Sequence, residues 1–131
     1  MKGYKGNIKQ ATLDNDNFRK VLYTAPHLQV VLMTLKIGED IGIETHDDND
    51  QFIRIESGDC KCSIDNNNYD ITEGDAILVP AGAKHNVVNT GKKPLKLYTI
   101  YGPPNHLDGV IRMKKQDAEN KPEKYNGITS E

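Results

Sequence analysis

The chain has 131 residues, 17 basic and 19 acidic side chains and a net charge of −2, the size of one domain, which buries roughly two-thirds of its unfolded surface. That balance gives no electrostatic footprint for nucleic acid or an anionic membrane, and no apolar run is long enough to span a bilayer. The opening MKGYKGNIKQ lacks the apolar segment of a secretory signal, so a cytoplasmic location is expected.

Residues 1–14 mix Gly, Lys and Asn without a period and are expected to form an N-terminal arm. FRKVLYT (18–24) and LQVVLMTLKI (28–37) are rich in β-branched and apolar residues, with a break at Ala25-Pro26. The second run is nearly all apolar, as in a strand covered on both faces. With Lys36 outward, alternation turns Val31, Met33, Leu35 and Ile37 inward. Gly38-Glu39-Asp40 turns the chain. CKCSID and YDITE then flank Asn66-Asn67-Asn68, a predicted hairpin tip. AILVP, HNVVN and LKLYTIYG follow, separated by turns. In the last of these, Leu95, Leu97, Thr99 and Tyr101 face inward. Gly102-Pro103-Pro104-Asn105 ends the series. MKKQDAEN (113–120) could form one or two helical turns, and the polar remainder reads as a mobile tail. Short turn-bounded strands with no long amphipathic helix among them argue for an all-β sandwich or barrel.

Cys60 and Cys62 are the only cysteines. On a strand they share a face about 6–7 Å apart, the upper edge for a disulfide, and they read as two small buried hydrophobes.

Two stretches carry the chemistry. In GEDIGIETHDDNDQFIRIESG (38–58), Glu44 and His46 sit two apart on strand-like sequence and so point the same way, and Gln51 opens the run QFIRIES. GDAILVPAGAKHNVVN (74–89) places His85 after a Pro-Ala-Gly turn. Two imidazoles, a carboxylate and an amide oxygen are donors for a borderline divalent metal. With Gln51 inward, Ile53 and Ile55 follow it, while Phe52, Arg54 and Glu56 face out. Phe52 is then an exposed aromatic on a sheet, a cue to association. Asp47, Asp48 and Asp50 read as a solvated turn beside His46, or as a source of a carboxylate that orients it. Tyr101 points to the site mouth or simply packs. His106 lies in a Pro-rich turn, on a surface loop or in a lid. His27 has no assigned role, and no inward cluster of Arg or Lys is evident.

The spacing of these stretches resembles the paired motifs of the cupin superfamily. The first motif runs Gly, five residues, His, one, His, three or four, Glu, six, Gly; here Glu44, His46 and Gln51 take the ligand positions between Gly38 and Gly58. The second runs Gly, five, Pro, one, Gly, two, His, three, Asn, and is matched by Gly74, Pro80, Gly82, His85 and Asn89. Glu44 stands in place of the usual first His, and Gln51 in place of the usual Glu. The resemblance covers residues 15–112 and implies a jelly-roll β-barrel, or double-stranded β-helix, with a short polar tail over 113–131. It also implies one divalent metal ion (Mn, Fe, Zn or Ni) at Glu44, His46, Gln51 and His85, a small-molecule substrate or ligand, and a homodimer. Cupins of this kind are often grouped with mannose-6-phosphate isomerase. Three readings remain open: an isomerase or epimerase with Glu44 as base and Tyr101 as a further catalytic group, a non-haem iron dioxygenase, or a non-catalytic binding or structural cupin.

Overall fold

The computed structural model describes residues 1–131. Ten strands form two antiparallel sheets: β1 Arg19–Thr24, β2 Gln29–Leu35, β3 Glu44–Thr45, β4 Asp50–Ser57, β5 Asp59–Ile64, β6 Asn67–Thr72, β7 Ala76–Val79, β8 Lys84–Asn89, β9 Leu95–Gly102 and β10 Ile111–Arg112. The larger sheet runs β10-β1-β2-β9-β4-β7 and the smaller β3-β8-β5-β6. This is an all-β, jelly-roll arrangement.

The alternation read from the sequence produces the core. Val31, Leu35, Ile53, Ile55 and Leu97 from the larger sheet meet Cys60, Cys62, Ile71 and Val87 from the smaller, all buried in one cluster. Each large aliphatic side chain fully buried there contributes about 1.5–3 kcal/mol. Both cysteines are free thiols within it.

The structure departs from expectation at several places. Ile37 is 63 % exposed, because β2 ends at Leu35 and Glu39 N–H closes a turn onto the Lys36 carbonyl at 2.9 Å, with Gly38 inside that turn at φ +79°. The hairpin tip is Asp65-Asn66 instead of the Asn run: Ile64 pairs with Asn67, and Asp65 takes the positive φ, +50°. Phe52 is half-buried, 6.4 Å from the Tyr98 ring on the neighbouring strand. Glu56 is buried and faces Arg54 Nε at 3.0 Å.

The segment before β1 contains a helix, α1 Ile8–Asp14, capped by the Asn7 side chain, which accepts from Gln10 N–H at 3.0 Å. It leads into Asn15, whose side chain donates to Asn17 O at 2.9 Å and whose carbonyl accepts from Thr34 Oγ1 at 2.6 Å, tying the helix end to β2. Residues 113–131 contain α2 Lys115–Asn120. Beyond it the tail read as mobile is docked. Tyr125 N–H donates to Asn105 O at 3.0 Å, Thr24 N–H to Ser130 Oγ at 2.8 Å, and Tyr23 Oη to Glu131 at 2.5 Å.

Candidate metal centre

The Pro80-Ala81-Gly82 turn sets the two imidazoles against each other. Gly82, at φ +88°, donates its N–H to the His46 carbonyl at 2.9 Å, and Ala83 N–H closes the turn onto Pro80 O at 3.1 Å. β8 then begins, and antiparallel pairing places His85 directly opposite Glu44 on β3. Upstream, Gly42 holds φ +90°, a conformation L side chains rarely adopt, with open space where a Cβ would stand.

One donor atom each from Glu44, His46 and His85 can be chosen so that all three lie within 4.8 Å of one another. Glu44 Oε2 is 3.0 Å from His46 Nε2, and the two imidazole centroids are 5.3 Å apart. His85 is 1 % exposed, while Glu44 and His46 are half-buried. Burial pulls the Glu44 carboxyl up, but its hydrogen bond with His46 and the charges of His46, Arg19 and His106 outweigh that and leave it below the ordinary value.

Two buried acceptors here lack partners. His85 Nδ1 lies 3.1 Å from the Ala83 carbonyl, which can only accept, so the proton sits on Nδ1 and the lone pair on Nε2. That Nε2 is buried and unpaired. Gln51, 2 % exposed, donates through Nε2 to Thr99 Oγ1 at 3.0 Å and Tyr101 Oη at 3.2 Å, and its Oε1 is buried without a partner. A directional chain fixes that amide. His106 Nδ1–H donates to Glu123 Oε1 at 3.1 Å, Tyr101 O–H donates to His106 Nε2 at 3.3 Å, and the Tyr101 oxygen accepts from Gln51. An orphaned buried acceptor costs about 1–3 kcal/mol. The His85 nitrogen, grouped with a carboxylate and a second imidazole, fits a cation, and the donor set suits a borderline divalent ion.

Glu44 and His46 open into a cleft of about 580 Å³, lined also by Asp47, Asp48, Asn49, Arg19, His106 and the segment Pro122–Tyr125 among others, while His85 lines a second cavity of about 410 Å³ with Ile43, Ser63 and Lys84. Asp47 and Asp48 are exposed, Asp50 accepts from Ala81 N–H at 2.9 Å, and none of the three bonds His46. Tyr101 is buried edge-on to His46 at 5.7 Å, and burial, with the Glu44 charge, pushes its phenol up. His106 is buried, in place of the surface loop expected of it. Burial pushes its imidazole down, against the opposing hydrogen bond to Glu123. His27 is exposed.

The residue missed from the sequence is Arg19. It is 9 % exposed, and its Nη1 meets Glu123 Oε1 at 3.4 Å, while Arg112 Nη2 meets Glu123 Oε2 at 3.4 Å. Alternation alone puts Arg19 on the inward face of β1 with Val21, a signal present in FRKVLYT.

A profile of the cupin-domain family matches residues 31–101. The chain belongs to the cupin superfamily. The cupin is 51 % identical to the Bacillus subtilis protein YrkC over 118 residues, covering 86 % of this chain and 63 % of YrkC. The chain thus spans less than two-thirds of that relative's length. A protein of Acanthamoeba polyphaga mimivirus is 43 % identical over 120 residues, covering 88 % of this chain and 74 % of the relative. A Bacillus halodurans protein of known crystal structure superposes with a TM-score of 0.90 at 41 % identity, covering 92 % of this cupin and 96 % of that chain. No helix of the cupin is long and apolar enough to cross a membrane.

Proposed function

We propose that this cupin binds one divalent metal ion through Glu44, His46 and His85, with Gln51 as a fourth donor, and acts on a small polar, sugar-like metabolite by isomerase- or epimerase-type proton transfer. The observation that carries this is the unpaired Nε2 of the buried His85 within 4.8 Å of the Glu44 and His46 donors. A bound Mn, Zn, Ni or Fe ion supplies a Lewis acid that polarises a substrate carbonyl. Glu44, half-buried with its carboxyl held below the ordinary value, would, besides its ligand role, be the base that takes a proton from the neighbouring carbon and returns it. Tyr101 holds the Gln51 amide.

Elemental analysis of wild type beside His46→Ala and His85→Ala tests the site, with metal expected only in wild type. Solvent deuterium entering an aldose or ketose in the presence of Mn, Zn or Fe tests the reaction. Metal binding without exchange into any sugar removes the isomerase reading. The two-His, one-carboxylate grouping of Glu44, His46 and His85 also favours a second reading, a non-haem Fe(II) dioxygenase. Substrate-dependent oxygen uptake after anaerobic Fe(II) loading selects it. Protein that takes up no metal is a binding or structural cupin.

We also propose a homodimer through the outer face of the larger sheet. Val30, Ile100, Phe52 and Leu78 stand in one row across β2, β9, β4 and β7. The first three are half-buried and Leu78 is 61 % exposed, an apolar row that a second copy would cover. Sedimentation of wild type beside Leu78→Lys tests it, with a dimer expected only for wild type.

A further inference from the structure

Arg19 enters the cleft with more donors than the protein uses. Its Nη1 side is taken by Glu123 at 3.4 Å. Its Nε is buried with no partner, and Nη2 carries no hydrogen bond. The Nε and Nη2 donors of a guanidinium lie parallel on one edge, the fork that matches the two oxygens of a carboxylate. Glu123 cannot serve that edge. Its Oε1 already takes Arg19 Nη1 and His106 Nδ1, and its Oε2 takes Arg112. Glu123 therefore anchors Arg19 from one side and leaves the other unpaired. Arg19 also stands directly across the strand pair from Arg112, so Glu123 separates two like charges, and Glu44 is the other carboxylate of the cleft that feels the Arg19 charge.

The buried Arg19 Nε without a partner is costly, and Nη2 beside it is free to donate outward. A solvent-lined cleft that also contains Glu44 and His46 is where a ligand would relieve that cost. Lys124, from the segment lining the same cleft, is exposed, and water screens it. Asp47 and Asp48 sit at the exposed rim, where water screens them.

We infer that Arg19 is the anion-recognising residue of this cleft, and that the substrate is a small hydroxy or oxo acid whose carboxylate is gripped by the Nε–Nη2 edge while its carbonyl or hydroxyl faces Glu44 and His46. This rests on the metal-site reading for the second half only. The carboxylate grip is a property of Arg19 in the protein with or without metal. A phosphate can offer two oxygens to the same fork, so inorganic phosphate is the competing anion and its titration decides between the two.

The test is calorimetric titration of metal-free and Mn-loaded wild type with lactate, with its neutral isostere lactamide, and with inorganic phosphate, repeated on Arg19→Gln and Arg19→Lys. Lactate should bind roughly 10-fold or more tighter than lactamide to wild type in both forms, the preference of a charged fork over a neutral amide. Arg19→Gln should abolish the preference, and Arg19→Lys, which keeps the charge without the fork, should restore only part of it. Three results would overturn the assignment: equal binding of lactate and lactamide to wild type, a preference that survives in Arg19→Gln, or phosphate binding as tightly as lactate. Failure to take up Mn sinks the proposed metal site alone. The lactate preference of the metal-free protein then still decides for or against Arg19.

Discussion

His85→Leu separates a metal ligand from an ordinary core histidine. In the metal-free protein the change removes the orphaned Nε2, which recovers about 1–3 kcal/mol. It also removes the donor to the Ala83 carbonyl, and leaving that acceptor unpaired costs a comparable amount, again about 1–3 kcal/mol. Leucine fills similar space beside the β8 neighbour Val87. The two terms cancel, and metal-free stability should lie within about 1 kcal/mol of wild type. A well-satisfied core side chain replaced at such a site costs about 2–5 kcal/mol. The metal response should behave oppositely. At a metal concentration about 100 times Kd, wild type gains about 2.7 kcal/mol, or roughly 8–11 °C in Tm for a chain of this size, and the variant should gain nothing. Urea and thermal melts, each with chelator and with Mn or Zn, measure both quantities. A variant that loses more than about 3 kcal/mol without metal, or that retains the metal-induced shift, refutes the reasoning.

Tyr101→Phe removes the hydroxyl that accepts from Gln51 Nε2 and donates to His106, so metal affinity should fall about 10-fold without loss of the fold, read by metal titration. The buried His106 imidazole is held below its ordinary value of 6.5, so between that lowered value and 6.5 the unfolded chain binds more protons than the native one. Its contribution is complete above pH 6.5 and is lost as pH falls through that window, which urea midpoints of wild type against His106→Gln should show as a steeper wild-type decline. Equal slopes would place His106 in solvent. Glu44 and Glu123, both held below 4.5, add a separate loss under more acid conditions. Burial pushes the Cys60 thiol up to about 12, with the neighbouring Cys62 thiol adding to it, and burial pushes Cys62 up to about 11. Neither should react with a thiol reagent at pH 8 until denaturant is added, and fast labelling of the native protein would contradict their burial.

What was legible in the sequence was local. Glycines at 38, 58, 74 and 82 take positive φ, and the strands between them obey the two-residue period, so their inner faces could be read directly. Errors came where a period was run past a turn, as at Ile37, or where a turn's positive φ fell one residue early, at Asp65. What was hidden is long-range. Arg19 meets Glu123 across 104 positions, and the tail's polar composition gave no hint that its carboxylate would be buried among two arginines and a histidine. Polar sequence reads as solvated because burying a charge is costly. Here the partners that remove the cost come from β1, β10 and the loop after β9, and no window of the chain contains them together.

That arrangement explains why the tail belongs to the site. Glu123 is the far end of the hydrogen-bond chain through His106 and Tyr101 that ends on the Gln51 amide. Its carboxylate, acceptor only, obliges His106 to donate from Nδ1. His106 then accepts at Nε2, where Tyr101 Oη at 3.3 Å and Asn105 Nδ2 at 3.4 Å both stand as donors, and with Tyr101 donating there its oxygen accepts from Gln51. The amide oxygen of Gln51 is the group that remains, and it is the unpaired one. Glutamine has no charge to dictate which end of its amide points where. A fixed acceptor three hydrogen bonds away supplies that direction, and on the proposed metal-site reading it lets a weak neutral donor stand where a carboxylate usually does.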